Sequence, residues 1–168
     1  MIQVYTGNGK GKTTAAIGQA IRALGHNWKI LMIQFMKGDE YGEIKVLKKL
    51  PNITVKQFGL KTFVKKGELK PDDIKLAREG WQLAKEAIES RKYDMIILDE
   101  LNCALDYGLL TVKEVLTVLL SAPRDLEIII TGRYAPKELI EIADLASEIK
   151  EIKHPLQKGV VNRSGIDY

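Results

Sequence analysis

The chain has 168 residues, 45% hydrophobic and 29% charged, with a net charge of +4 and a pI near 9.0. That balance suits one globular domain over residues 1–168, and no apolar run approaches the roughly 20 residues needed to span a bilayer. The lone cysteine, Cys103, excludes an internal disulfide and a multi-cysteine metal site; the chain enters a strand-like run at Ile2, so no secretory leader is expected and the simplest reading is cytoplasmic.

In chain order, Ile2–Tyr5 reads as a strand and Lys12–Leu24 as an Ala-rich helix. The apolar run "KILMIQF" (Lys29–Phe35) is short enough for a buried strand. Gly42–Leu50 reads as a helix stopped by Pro51, and Ile53–Phe58 as an alternating strand. Gly59–Pro71 carries turn formers and lysines and reads as a loop. From Asp72, with Asp72 and Asp73 placed for an N-cap and a dipole partner, Ile74, Ala77, Trp81, Ala84 and Ile88 repeat at helical spacing; this stripe makes Trp81 a core residue. "YDMIILDE" (Tyr93–Glu100) is a buried strand ending in two acids. Thr111–Ser121 is a helix opened by a Thr111–Glu114 capping box, and Leu126–Arg133 is a further buried strand. Pro136 suits the first turn of a short helix to Ala143, and Glu148–Lys153 alternates as an edge strand would.

Strands alternating with helices, several of them continuously apolar, predict a mostly parallel α/β sheet. Ligands bind such sheets at the carboxyl ends of the strands. Three polar groups fall there: the loop from Gly7, the pair Asp99–Glu100, and Thr131–Arg133.

The loop is the strongest signal. The phosphate-loop pattern G-x-x-x-x-G-K-[ST] is met by Gly11-Lys12-Thr13, with Thr6 in place of the first glycine. A strand precedes it, a helix follows, and Gly7, Asn8, Gly9 and Lys10 fill the interval. Glycines let successive N–H groups close on an anion, and the helix start adds its positive end. Lys12 brings a mobile charge to phosphate oxygens, and the Thr13 hydroxyl suits Mg²⁺. The alternative is a flexible turn before an ordinary helix. Asp99 and Glu100 fit the acid that holds Mg²⁺ in such sites, or else cap the helix from Leu101. Arg133 can fork onto phosphate oxygens, or form a surface ion pair.

Other features are less specific. Eight lysines against one acid, Glu68, between Ile44 and Lys70 form either a solvated face or a dock for an anionic partner. His154, before Pro155, reads as a turn residue and Cys103 as packing, so no protein nucleophile or base is evident.

Taken together, "YTGNGKGKTTAA" (Tyr5–Ala16), "RALGH" (Arg22–His26), "IQFMKG" (Ile33–Gly38), "MIILDELN" (Met95–Asn102), "IIITGR" (Ile128–Arg133), "LIEIADLASEIKEIKHP" (Leu139–Pro155) and "GIDY" (Gly165–Tyr168) resemble the P-loop type of corrinoid adenosyltransferase. The resemblance implies a three-layer, RecA-like α/β fold of about six strands, Mg²⁺, a homodimer, and transfer of the 5′-deoxyadenosyl group of ATP to Co(I) of a corrinoid, with triphosphate as leaving group. It implies that Gly7, Asn8, Gly9, Lys10, Gly11, Lys12, Thr13 and Thr14 wrap the triphosphate in a sense reversed from ordinary P-loop enzymes. Arg133 would contact phosphate, and Thr13, Asp99 and Glu100 the metal. Lys12, Arg133 and Glu100 are the catalytic candidates. Where the family carries a Trp-containing segment over the corrinoid, this chain has "FGLKTFVKKGEL" (Phe58–Leu69), so Phe58 or Phe63 is expected there. The lysines of that segment offer a dock for an acidic electron donor such as flavodoxin. Many members carry a basic N-terminal extension over the nucleotide; this chain starts at its first strand.

Two other functions compete. A RecA-like phosphohydrolase would use Glu100 to orient water. A nucleotide-switched nucleic-acid module would use the lysine run, although the run lacks interleaved aromatics, so no nucleic-acid partner is expected.

Overall fold

A computed structural model describes residues 1–62, 64–159 and 163–166. Among them six strands, β1 (Ile2–Thr6), β2 (Ile30–Phe35), β3 (Ile53–Phe58), β4 (Met95–Asp99), β5 (Glu127–Thr131) and β6 (Leu145–Glu148), form one sheet. The helices are α1 (Lys12–Leu24), α2 (Gly42–Leu47), α3 (Pro71–Ser90), α4 (Leu101–Asp106), α5 (Val112–Leu120) and α6 (Lys137–Ile142). The strand order is β3-β2-β4-β5-β1-β6, and every pairing is parallel.

That order dictates the layers. Right-handed crossovers that step one way along a parallel sheet put their helices on one face, and steps the other way use the opposite face. The steps β1 to β2 and β2 to β3 run toward one edge; all later steps run toward the other. Accordingly Ala16, Ala20 and Ala23 of α1 and Leu47 of α2 share a core with Ile30, Met32, Met95, Ile97 and Ile129. The other face packs α3 to α6, through Trp81, Leu101, Val115 and Leu139, on Leu31, Ile33, Ile96, Leu98 and Ile128. The period of two along each strand assigns neighbouring residues to opposite cores. Because helices cover both faces, β2 and β4 are buried throughout.

The α3 stripe is as predicted: Ala77, Trp81, Ala84 and Ile88 are buried and Ile74 is half-buried against them. The helix begins one residue earlier than expected, because Pro71 takes its first turn. Asp72 is therefore not the cap; Asp73 takes that work, its Oδ2 accepting from the Lys70 N–H at 3.0 Å. The Thr111–Glu114 capping box is present, with both reciprocal bonds made, at 3.3 and 3.0 Å. Helix α2 ends at Leu47, before the expected Leu50.

One strand lies elsewhere than its pattern suggests. The edge strand is Leu145–Glu148, not Glu148–Lys153. Its length is set by its partner: Gln3 pairs with Leu145 and Thr6 with Glu148, and β1 then leaves the sheet. Beyond Glu148 the backbone turns to the loop after β1 instead, and all four strand residues are exposed, so no buried alternation marks them.

Two connections cross at the rim, after β2 and after β3. A Cβ on Gly38 would sit 2.5 Å from the Gly59 carbonyl oxygen, and one on Gly59 only 2.3 Å from the Lys37 nitrogen. This contact fixes the Lys37 backbone. Gly59→Ala should cost about 1–3 kcal/mol through backbone displacement. At about 2–4 °C per kcal/mol for a chain of this size, a thermal melt should read a loss of about 2–12 °C, and an unchanged midpoint would show that the crossing is not tight.

Candidate functional site

The carboxyl ends of β2, β4 and β5 bring three polar side chains to one face. Gln34, Asp99 and Thr131 alternate with core residues that face the other layer, and Gln34 pairs in register with Asp99. They lie on the α1 side, beneath the start of that helix. Asp99 is fully buried and receives four donors. Thr13 Oγ1 and Thr131 Oγ1 donate to its Oδ1 at 2.8 and 2.7 Å. Lys37 Nζ and Gln34 Nε2 donate to Oδ2 at 2.8 and 2.9 Å. Burial alone would raise the Asp99 pKa, but the Lys37 charge and these hydrogen bonds outweigh it and hold the carboxyl below its ordinary range. Burial likewise disfavours the Lys37 ammonium, but Asp99 and Glu100 hold its pKa above the ordinary value. The two directions agree: this is a buried ion pair with its remaining bonding capacity filled.

The loop from Thr6 to Lys12 is braced from behind. The Gly9 N–H donates to the Ile149 carbonyl at 2.8 Å, and the Ile149 N–H donates to Thr6 O at 2.8 Å. A Cβ on Gly7 would lie 2.4 Å from that Ile149 oxygen, and one on Gly9 2.7 Å from Lys150 C. These two glycines are thus required first by the passing 149–150 chain. Lys12 is buried, and its Nζ donates to the Gly9 carbonyl at 2.7 Å. Burial lowers its pKa, and the Arg133 charge adds to that, against the opposing pull of Glu100 and Asp99.

In front of the loop lies a cavity of about 820 Å³. Gly9, Lys10, Gly11, Lys12, Thr13 and Thr14 line it, together with Lys37, Glu100, Cys103 and Arg133. His154, Gly165 and Ile166 of the C-terminal segment reach it too, and Lys10 Nζ donates to Ile166 O at 2.9 Å. Glu100 starts α4 with φ of 62° and makes no side-chain cap; its carboxylate is hydrogen-bonded with the Cys103 thiol. Its N–H donates to Thr131 Oγ1 at 3.1 Å. Met36 and Tyr134, beside Lys37 and Arg133, are also left-handed, at φ 59° and 58°. Each such non-glycine residue costs roughly 1–3 kcal/mol, and here all three turn the chain at a strand end next to a cavity-lining charge.

Not every predicted site residue meets the cavity. Gly7 and Asn8 border a separate hollow with Tyr134, Glu148 and Lys150, and Asn8 Oδ1 accepts from the Glu151 N–H at 3.1 Å. Asp99 lies under the cavity, behind Thr13 and Lys37. Phe58 packs on the core beside Gly80 of α3, whose added Cβ would be 3.0 Å from its ring, so it is not among the cavity's lining residues. Phe63 lies outside the described residues; Val64, next to it, lines the cavity. Sequence reasoning missed Lys37 and Gln34 entirely and gave Thr131 no role. Gln34 lies inside the second apolar run and Lys37 two residues after it, and only the pairing of β2 with β4 brings them to Asp99.

Oxygen donors fit Mg²⁺ here. Among the described residues no cluster of three His, Cys, Asp or Glu forms a metal cage. Mg²⁺ needs none, being held by one or two carboxylates and substrate phosphates; Thr13 and Glu100 line the cavity, and Asp99 lies behind Thr13.

A parallel sheet with a phosphate loop after β1 and an acid ending β4 defines a P-loop nucleotide-binding protein. The family is then specific: a model described as "ATP:corrinoid adenosyltransferase BtuR/CobO/CobP" matches residues 1–168, and the chain belongs to that family. It is 40% identical over 169 residues to the corrinoid adenosyltransferase of Escherichia coli strain K12, covering 100% of this chain and 85% of the relative. Identity to the corrinoid adenosyltransferase CobA of Salmonella typhimurium strain LT2 is 37% over 169 residues, with the same coverage, and to that of a Sinorhizobium species 34% over 171, covering 100% and 80%. The protein is a transferase that adenosylates corrinoids with ATP, and this membership does not favour the hydrolase or nucleic-acid-binding alternatives. No described helix is long and apolar enough to cross a membrane.

Cys103 faces the cavity, but burial first, and the Glu100 charge second, push its thiol up to about 12. It stays protonated at neutral pH and is a poor nucleophile. Iodoacetamide at pH 8 should alkylate it at least about 100-fold more slowly than a free thiol of pKa near 8.5; comparable rates would place the thiol in a different environment.

Proposed function

We propose that the cavity holds the triphosphate of ATP as a leaving group, with Gly9–Thr14, Lys12 and Arg133 around it and Thr13, Asp99 and Glu100 on the metal side. The observation that carries this reading is the convergence of the loop, Lys12, Arg133 and Glu100 on one cavity. The first turn of α1 leaves N–H groups without intrahelical partners, and the helix adds its positive end. Lys12 offers a point charge; Arg133 offers a planar fork.

This inventory suits attack by a substrate nucleophile. Co(I) of a reduced corrinoid attacks without help from a base, so the demand on the protein is to stabilise the charge that collects on the departing triphosphate. Preorganised donors in a cavity with low-dielectric walls do that with little reorganisation. When bound, Mg²⁺ supplies further charge neutralisation on the phosphate oxygens. The nucleotide is read as lying with C5′ toward the corrinoid, reversed relative to enzymes that attack the γ-phosphorus.

The same reading has one domain over residues 1–168, a cytoplasmic homodimer, and an acidic electron donor such as flavodoxin. Support for the donor comes from the lysines between residues 45 and 70, all eight of which are exposed. Some are held by neighbours, Lys66 by Asp106 at 2.7 Å and Lys48 by Glu40 at 2.6 Å.

Replacing Lys12 tests the assignment. Lys12→Ala should lower the rate of cobalt alkylation by at least about 100-fold, the scale of losing one such charge-stabilising group, and should weaken ATP binding. Absorbance of the alkylated corrinoid reads the first effect and calorimetry the second. Near-normal values in both would remove Lys12 from the phosphate site.

A further inference from the structure

An ionised carboxylate has about four lone-pair sites, and Asp99 has four donors on them. The two on the sheet side are locked. Thr131 Oγ1 accepts from the Glu100 N–H at 3.1 Å, which leaves its own proton for Asp99. Gln34 Oε1 accepts from Gln57 Nε2 at 3.0 Å, and Gln57 is itself held by Asp39 O at 2.8 Å, so the Gln34 amide cannot turn away. The two remaining donors, Thr13 and Lys37, line the cavity. Lys37 Nζ lies 2.8 Å from Asp99 Oδ2 and 3.5 Å from Thr13 Oγ1. An ammonium thus stands against two of the three side chains that the reading above gives to the metal, Thr13 and Asp99. A divalent cation cannot share that place, since two positive centres would meet in a buried pocket.

Resting on that reading of Thr13 and Asp99, we propose that Lys37 is a tethered place-holder for the metal. It keeps Asp99 neutralised, and it yields the position only when a triphosphate is present to receive the ammonium. Divalent metal therefore enters with the nucleotide and not before it. The backbone of Lys37 is fixed by the close approach of Gly59, so the exchange is a swing of the side chain alone, on its flexible four-carbon stem. The outcome is a positioning role: Lys37 couples metal binding to triphosphate binding and adds one more cation to the leaving group.

The test uses Mn²⁺, which takes the same oxygen ligands as Mg²⁺ and whose free ion is counted by electron paramagnetic resonance. The whole protein and its Lys37→Ala variant are titrated with Mn²⁺ alone, then with Mn²⁺ and inorganic triphosphate, each series read against a protein-free control at the same triphosphate concentration because triphosphate itself chelates the ion. Wild type should retain Mn²⁺ only with triphosphate. Lys37→Ala should bind Mn²⁺ alone at least about tenfold more tightly than wild type, a gain that a merely structural lysine would not produce. Wild type that binds Mn²⁺ equally well with and without triphosphate overturns the inference, and this arm needs no variant to fold. A folded Lys37→Ala protein with no gain overturns it as well. Wild type that takes up no Mn²⁺ even with triphosphate fails at an earlier point, the metal-side reading of Thr13 and Asp99, and takes the inference down with it.

Discussion

A single buried carboxylate organises this protein. Asp99 closes β4 beneath the phosphate loop and is bonded by side chains from the start of α1, the end of β2, the turn after β2 and the end of β5. Burying an ion is costly unless its charge is matched and its lone pairs are filled, and here both conditions hold. The consequence reaches past stability. The bond to Thr13 ties the first turn of α1 to the centre of the sheet, and with it the loop whose Gly9–Lys12 stretch lines the cavity. The bond to Lys37 holds a second lysine at the cavity, beside Thr13. The bond to Thr131 fixes the strand end from which Arg133 departs.

Around that anion the chain assembles an excess of positive charge facing solvent-accessible space. Lys10, Lys12, Lys37 and Arg133 line the cavity, against the two acids Glu43 and Glu100. Such an arrangement favours a polyanion over a neutral substrate, and it lowers the pKa of Lys12 through burial and the neighbouring guanidinium. Left-handed residues at Met36, Glu100 and Tyr134 mark where the chain turns after β2, β4 and β5, beside or at the cavity-lining Lys37, Glu100 and Arg133. An enzyme whose nucleophile arrives with its substrate needs such a receiver for the leaving group more than it needs a base.

Much of this was legible in the sequence because the strongest physical signals are local. Continuous apolar runs at β2, β4 and β5 can satisfy only a sheet covered on both faces, and the α3 stripe can satisfy only a helix. The Gly-Lys-Thr before an Ala-rich helix pointed to the phosphate loop directly. What failed was non-local. Edge strand β6 carries no buried alternation, since its length is set by where β1 departs. Gly7 and Gly9 were read as serving an anion, whereas close packing against Ile149 and Lys150 already requires them. Lys37 was hidden among many lysines, because only the register of β2 with β4 reveals that it meets Asp99. Phe58 was offered to the corrinoid on the strength of a neighbouring motif, but its place at the end of β3 turns it onto Gly80.

In the proposed reading these cations serve a departing triphosphate and not an attacked γ-phosphorus. Phosphorus NMR of the products, with ATP, Mg²⁺ and a Co(I) corrinoid, tests that most directly. The expected spectrum shows triphosphate in step with the light-sensitive alkylated corrinoid. ADP and phosphate, with the cobalt left unalkylated, would contradict the account.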